Sequence, residues 1–409
     1  MNLPPPSLRL PMVAALLCGL LVLLCVSNLI SFHDHHALFL EKYAFVTERK
    51  RLVQTQDLYN IVSRVQGQLT HISATLGLDH LDQGFDRARD AREAFHAGLT
   101  NLQQLLTKHP LNLPFATETL SLGNRFDAFH QQGIEMAHAY IQKGTFQGNQ
   151  KMKGFDTTAD ALRTVLNGMV HHHEQQAESW RQKIQNRPQA FVPPSGLTSL
   201  LWFHWMGDQI RTQYVQAMTI LVQSASRDDL RMQVSLIAQE LQGLVIHVQQ
   251  WLTDQAATRE QDGLDDGREE ARKGSERFQS LMPDFLALVE RSGNPAWQHT
   301  AEQLSTRFAT FHALGETMAA TYIQGGAKHG NARMAEFDAM ANQLEQELAP
   351  FIAQAIEDAL NENFQYDLIY DSLQEIWTVL FFLLFLAITA AVGVAAWLLS
   401  CMHFLGNTK

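Results

Sequence analysis

The residues that could bind a small molecule occur in this sequence as two matching sets of polar side chains. Hydroxyl, amide, imidazole and carboxylate groups provide the few fixed hydrogen bonds that orient a polar ligand in a pocket. The first set comprises Thr70, His71, Thr75, His130, Tyr140, Asn149 and Asp156. The second comprises Thr253, Asp254, Thr258, His312, Tyr322, Asn331 and Asp338. We treat both sets as candidate ligand-binding residues, and plain helix packing is the alternative.

The two sets are alike but not identical. His71 and Asp254 occupy the same place in their sets and differ in charge type, so the two sets should not bind the same ligand in the same way. Asn149 and Asn331 each follow a glycine, and we expect both to cap the N-terminus of a helix. The free amides of such a helix end could also receive a small anion, such as a ligand carboxylate.

Metal and cofactor chemistry finds little support in the sequence. The chain has 18 histidines, with clusters at "HDHH" (33–36) and "HHHE" (171–174). Consecutive residues point in different directions around a helix, whereas ligands of one ion need a spacing of three or four. Phosphate-binding, dinucleotide-binding, zinc-protease and haem-attachment motifs are missing from the sequence. We therefore predict no metal site, no cofactor and no enzymatic activity.

The composition and net charge limit the classes of protein to which the chain can belong. The chain of 409 residues is 46% hydrophobic and carries a net charge of −11, which favours an ordered protein and gives no basis for nucleic-acid binding. Its three cysteines, Cys18, Cys25 and Cys401, all lie in or beside apolar segments near the ends. The region between those segments therefore has no disulfide, and its core must supply the stability.

Two apolar segments flank the polar middle of the chain. Residues 10–31 and 376–400 are each long enough for a transmembrane helix, and Trp377 and Trp397 stand where the two interfaces of a bilayer would be. A cleaved signal peptide is the alternative for the first segment, although its apolar run is longer than usual. We predict two transmembrane helices in a bacterial inner membrane, with both termini cytoplasmic and a short tail over 401–409. The large domain would be periplasmic.

Between the apolar segments the sequence repeats itself. "GTFQGNQKMKGFD" (144–156) matches "GAKHGNARMAEFD" (326–338), and "RFDAFHQQGIEMAHAYIQKG" (125–144) matches "RFATFHALGETMAATYIQGG" (307–326). Upstream, "LTHISATLGLDHLDQG" (69–84) matches "LTDQAATREQDGLDDG" (252–267). Self-similarity at a long period indicates one structural unit built twice. We call residues 32–185 the first repeat and residues 205–375 the second.

Each repeat predicts four helices and no strand. The expected helices are 35–77, 84–108, 115–143 and 149–185, then 205–258, 265–291, 296–325 and 331–375. Short connections favour antiparallel neighbours, so each repeat should form an up-down-up-down four-helix bundle with coiled-coil-like packing. A proline-rich linker, 186–204, separates the repeats. The apolar "LTSLLWFHWM" (197–206) could lie at the membrane surface or pack beneath a bundle.

In this topology, the candidate residues of each set other than His130 and His312 should gather at the end of their own bundle far from the membrane. A stripe of phenylalanine, methionine and tyrosine on the third helix of each repeat should face the core. Gly133 and Gly315 interrupt this stripe at equivalent positions. Since glycine weakens a helix, we expect a close approach of another backbone there, or room for a guest.

The chain resembles the periplasmic sensor domains of bacterial methyl-accepting chemotaxis receptors. "LTDQAATREQDGLDDG" and "MAATYIQGGAKHGNARMAEFD" carry the resemblance, and the first repeat has the same pattern. The resemblance implies an all-helical ligand-sensing module that works as a dimer. After the second apolar segment, however, only "SCMHFLGNTK" follows, where such receptors continue into a kinase-controlling coiled coil.

We therefore expect a membrane-bound sensor of a small polar ligand. It would transmit the ligand state to a membrane or cytoplasmic signalling partner, and it could form a homodimer. A structural or accessory protein, whose helical bundles dock a periplasmic protein, is the alternative.

Overall fold

The computed structural model describes the backbone of residues 6–78, 84–107, 116–186, 207–260 and 266–406. Side chains are described over most of 40–78, 84–107, 118–186, 230–260 and 266–353, and over part of 382–400. Most of the predicted linker, and the apolar segment 197–206, lie outside the described residues.

The described part of the chain contains eight helices and no strand, which confirms the all-α prediction. In the first repeat these are α1 (Pro6–Thr75), α2 (Gly84–Thr107), α3 (Ala116–Lys143) and α4 (Thr145–Gln185). In the second they are α5 (Gly207–Thr258), α6 (Gly267–Ser292), α7 (Pro295–Gly325) and α8 (Ala327–Gly406). The helix order is the same in both repeats.

The starts of α4 and α8 differ from the prediction. Gly144 and Gly326 adopt φ angles of 85° and 67°, a region that favours glycine, and the next helix begins at the following residue. Asn149 and Asn331 therefore lie inside helices and are not N-caps, so that prediction was wrong. Because a single glycine makes each break, the helix starts at the next residue, and the asparagine five positions after the glycine is already within it.

The described residues divide into two compact units. One unit combines 45–178 with 226–359, so it contains most of both repeats. The other contains the described residues of 1–44, 179–225 and 360–409. All contacts discussed below lie within the first unit.

The same aromatic core appears in each repeat. Equivalent rings stack at nearly equal distances: Phe95 on Phe126 (3.8 Å between centroids), Phe278 on Phe308 (3.7 Å), Phe129 on Phe155 (4.9 Å) and Phe311 on Phe337 (4.7 Å). All eight side chains are buried. The internal sequence similarity thus corresponds to equivalent packing of the second, third and fourth helices.

The two glycines of the third helices allow this packing. A Cβ at Gly133 would lie 2.4 Å from Leu69 Cδ1 and 2.6 Å from Phe155 Cε2. A Cβ at Gly315 would lie at the same distances from Leu252 and Phe337. The close approach is made by side chains, so the expected approach of a backbone was wrong, and neither glycine leaves room for a guest.

The first helices of the two repeats, α1 and α5, pack against each other in parallel and in register. A Cβ at Gly67 would lie 3.7 Å from Cβ of Gln250, which is the equivalent residue of the second repeat. Seven residues earlier, a Cβ at Gly243 would lie 2.8 Å from Oδ1 of its own equivalent, Asn60. In each pair, a glycine accommodates a larger polar side chain.

The contact between α1 and α5 contains many polar residues. Buried positions on the two helices include Asn60, Ser63, Gln66, Thr70, Ser235, Gln239, Gln250 and Thr253. Buried polar groups need hydrogen-bond partners, so such a contact specifies one register more strongly than an apolar seam would.

Among the residues whose side chains are described, no helical stretch has the length and apolar character needed to cross a membrane. The side chains of 10–31 are outside the described set, and those of 376–400 are described only in part. The two spans therefore stay predictions.

Candidate functional site: a cavity between the two repeats

A cavity of about 450 Å³ lies where the two repeats meet. Its walls come from α1 and α2 of the first repeat and from α5 and α8 of the second. The volume falls within the range typical of small-molecule sites, roughly 300–1,000 Å³. Of the predicted residues, His71, Thr253 and Asp338 line it.

Asp338 joins the two repeats at the cavity wall. Its Oδ2 lies 2.8 Å from Nε2 of His71 on α1, and its Oδ1 accepts a hydrogen bond of 2.9 Å from Nε2 of Gln249 on α5. The side chains of His71 and Asp338 are 15% and 17% exposed, so both can still face a small molecule.

A second ion pair crosses the repeats at the same cavity. Nη2 of Arg64 on α1 lies 3.1 Å from Oε2 of Glu345 on α8. Arg87 on α2 adds another guanidinium, and Gln68 and Asn342 add amides. The wall therefore presents cations and anions together with neutral hydrogen-bonding groups.

The equivalent location on the opposite side of α1 and α5 has different chemistry. There, Gln66 donates a hydrogen bond of 2.7 Å to Asp156 Oδ1, as Gln249 does to Asp338. Arg163, the equivalent of Glu345, donates to Gln66 (2.7 Å) and Gln250 (3.1 Å) and pairs with Asp160 (2.6 Å). The ion pairs between the repeats at the cavity are thus replaced by a buried arginine bound to two amides and to Asp160 of its own helix.

Burial, and after it the nearby charges, shift the pKa values of three residues at this opposite location. Burial raises the pKa of Asp156 to about 7, against the hydrogen bond from Gln66 and the charge of Arg163. Burial and the nearby carboxyls of Asp156 and Asp266 raise the pKa of Asp254 well above its usual range. Burial and Arg163 lower the pKa of His247 to about 4, so this imidazole is neutral at neutral pH.

The tyrosine and asparagine candidates form two reciprocal contacts between the repeats. Tyr140 donates its hydroxyl proton to Asn149 Oδ1 (2.5 Å), and Asn149 Nδ2 donates to the main-chain oxygen of Thr258 (3.3 Å). Equivalently, Tyr322 donates to Asn331 (2.6 Å), which donates to Thr75 (3.5 Å). The two sets were expected to lie at the ends of two separate bundles. That prediction was wrong, because the asparagine of each set binds the first helix of the other repeat.

The remaining candidates are placed apart from the cavity wall. Thr70, Thr75 and Thr258 are buried, and the hydroxyls of Thr75 and Thr258 donate to carbonyls one turn earlier. His130 is buried between α2 and α3, where burial and the charge of Arg92 lower its pKa. His312 is half-buried on α7. None of these residues lines the cavity.

The sequence analysis missed Arg64, Arg87, Gln249 and Glu345 as site residues. Their partners lie on other helices, and the Arg64–Glu345 pair joins positions far apart in the chain. One signal was present in α1: Asn60, Ser63, Gly67 and Thr70 form a polar stripe at helical spacing, which indicates a second packing face. Among the described residues, no group of three His, Cys, Asp or Glu side chains is arranged to hold a metal.

Comparisons with protein-family models, with curated proteins and with solved structures found no match to this chain.

Proposed function

We propose that this chain is a sensor whose two repeats bind a small zwitterionic molecule in the cavity between them. The observation that carries the proposal is the mixed charge of the cavity wall. Arg64, Arg87 and His71 can receive a carboxylate, and Asp338 and Glu345 can receive an ammonium group. The neutral amides of Gln68 and Asn342 can orient such a ligand by hydrogen bonds.

A ligand of this kind would compete with the ion pairs already present in the cavity wall. The two ion pairs, Arg64–Glu345 and His71–Asp338, both join the first repeat to the second. Partly exposed ion pairs contribute little stability, so exchanging one for contacts to a ligand costs little. Binding would then change how the repeats are linked.

The architecture that we propose consists of two tandem four-helix bundles between two transmembrane helices in a bacterial inner membrane. The equivalent aromatic cores support two bundles. Described side chains near the predicted second span include exposed Phe382, Phe385 and Trp397, which lipid would accommodate. Helix α8 carries Asp338 and Glu345 and also the residues of that span, so a change at the cavity could reach a signalling partner through it.

The test is thermal unfolding of the purified full-length chain in mild detergent, with amino acids, dicarboxylates and amines added one at a time. A ligand that binds only the folded state raises the unfolding temperature, and the stabilisation is about 2.7 kcal/mol at a concentration 100 times Kd. We expect zwitterions to stabilise, and dicarboxylates and amines to stabilise less.

Matched variants assign any effect to the cavity. Arg64→Gln and Glu345→Gln should abolish the ligand-induced shift. His247→Gln changes the equivalent of Arg64 outside the cavity wall and should leave the shift intact. A shift that survives both cavity variants would contradict the proposed site. The absence of any shift, with a fixed protein partner co-purifying, would favour the alternative of an accessory scaffold.

A further inference from the structure

The internal symmetry places the carboxyl groups of Asp156 and Asp254 near each other. In the cavity, Asp338 accepts from Gln249 and contacts His71. At the equivalent location, Asp156 accepts from Gln66, and the residue equivalent to His71 is Asp254. The equivalent hydrogen bonds are 2.7 Å and 2.9 Å long, and the charge of Asp156 acts on Asp254, so Asp254 lies near Asp156 as His71 lies near Asp338.

Asp254 is buried, whereas Asp156 is partly exposed. Asp254 is only 3% exposed, and its Oδ1 has no hydrogen-bond partner among the described residues. A buried, unpartnered carboxylate oxygen is costly, and two adjacent carboxylates also repel each other. One proton shared between the two groups removes the repulsion and supplies the missing hydrogen bond.

The neighbouring charges do not neutralise the pair. Helix α4 contributes Arg163 and Asp160, and these two pair with each other at 2.6 Å. Asp266 stands before α6 and adds negative charge, whereas α1 contributes the neutral Gln66. On α5, His247 lies near Arg163 and is neutral at neutral pH. Arg163 is therefore the facing cation, and its donors are already shared among Gln66, Gln250 and Asp160.

We propose that Asp156 and Asp254 form a proton-binding site that makes the contact between the two repeats sensitive to pH. With one proton bound, the two carboxyls hold α4 of the first repeat to α5 of the second. Without it, their repulsion weakens the same contact. The site is independent of the zwitterion proposal, because it lies opposite the cavity and requires no ligand.

The pH range follows from the raised pKa values. The folded protein holds its proton up to about pH 7 at Asp156, whereas an unfolded aspartate loses it near pH 3.8. The folded state therefore binds more protons between these values, and stability falls as the pH rises through them. The loss is complete once the pH exceeds the folded pKa values.

The test is the pH dependence of thermal unfolding of the full-length chain without ligand, between about pH 6 and pH 8. The wild type should lose unfolding temperature as the pH rises. Asp254→Asn is nearly isosteric and removes the repulsion between the two carboxyls. The amide that it introduces can donate to Asp156, so this loss should be smaller than in the wild type. The matched control, Asp338→Asn, should retain it.

Infrared spectroscopy provides a readout that does not depend on stability. The wild type should show a protonated-carboxyl C=O band that disappears over the same pH range, and Asp254→Asn should lack that change. The proposal is overturned if Asp254→Asn keeps the wild-type pH profile and the wild-type band. Failure of the zwitterion screen would leave this outcome unaffected, since no ligand is present.

Discussion

The side-chain amide of Asn149 donates a hydrogen bond of 3.3 Å to the main-chain oxygen of Thr258, in the last turn of the other repeat's first helix. Asn331 makes the reciprocal contact with Thr75, at 3.5 Å. The last carbonyls of a helix have no partner within it. Each repeat therefore contacts a helix end of the other through an asparagine, although the Thr75 oxygen also accepts from Leu78 N of its own repeat. These contacts give a structural reason for finding the Gly-Asn pair twice in one chain.

Removing one of these asparagines should destabilise the fold. Asn149→Ala removes the hydrogen bond from Tyr140 to Asn149 and the bond from Asn149 to Thr258, and each buried hydrogen bond contributes about 0.5–1.5 kcal/mol. Denaturant unfolding of the full chain measures the change. The neighbouring exposed Gln150 provides the control, since Gln150→Ala should stay within about 0.5 kcal/mol of wild type. Equal effects of the two substitutions would contradict the interlocking contact.

Adding one methyl group at Gly133 should also destabilise the fold. Leu69 and Phe155 occupy the space that a Cβ would need, so Gly133→Ala should cost about 1–3 kcal/mol through overpacking. Gly154, on α4, has no atom within 4 Å of the corresponding position. Gly154→Ala should therefore stabilise by about 0.5–1 kcal/mol, because alanine favours a helix. Opposite signs in the two unfolding experiments are expected, and a neutral Gly133→Ala would show that the core is looser than described.

Local patterns in the sequence were sufficient to predict the helices and the aromatic core. Glycines at 84, 144, 267 and 326 mark helix boundaries, and the stripe around Phe126 and Phe308 predicts the buried face of the third helices. Asn149 was misassigned because capping is inferred from neighbours in sequence, whereas its partner Thr258 lies in the other repeat. The cavity could not be predicted for the same reason, since Arg64 and Glu345 are joined only by the packing of one repeat on the other.

A buried charge network distinguishes the first repeat from the second. Arg51 Nη1 lies 2.6 Å from Glu48 Oε1 and Arg51 Nη2 donates to the oxygen of Leu105, while His173 Nδ1 lies 2.8 Å from Glu48 Oε2. Burial raises the pKa of Glu48, but the hydrogen bond to His173 and the charge of Arg51 outweigh it and keep the pKa below its ordinary value. The second repeat has Val234 in place of Arg51.

Removing one member of this network should lower the stability of the fold strongly. Arg51→Met removes the guanidinium from the buried Glu48 and leaves it only His173, and breaking a buried ion pair costs about 3–5 kcal/mol. Replacing Glu48 and Arg51 together with apolar residues should recover part of the loss, because no buried ion pair is left half-broken, although the buried His173 loses its hydrogen bond to Glu48. Denaturant unfolding of the single and double variants measures both effects. A mild single variant, or a double variant no better than the single one, would contradict the network.

Acid sensitivity should follow from His247. Its folded pKa of about 4 lies below the ordinary value of 6.5, so the unfolded chain takes up a proton first as the pH falls. The stability from this residue is complete above pH 6.5 and is lost toward pH 4, by up to about 3 kcal/mol. His247→Gln should flatten unfolding profiles in this range, and substitution of the exposed His299 should not. Equal profiles for both variants would contradict the burial of His247.

The parallel, in-register contact of α1 with α5 underlies the cavity, the acid pair and the interlocked asparagines. Cysteines at positions 67 and 250 test it directly, since a Cβ at Gly67 lies 3.7 Å from Cβ of Gln250, and disulfides need about 3.5–4.5 Å. With Cys18, Cys25 and Cys401 replaced by serine, Gly67→Cys with Gln250→Cys should form a disulfide within one chain under mild oxidation. It should be detected as faster migration on non-reducing gels. Failure to cross-link, or cross-links only between separate chains, would contradict the packing of the two repeats on which the account depends.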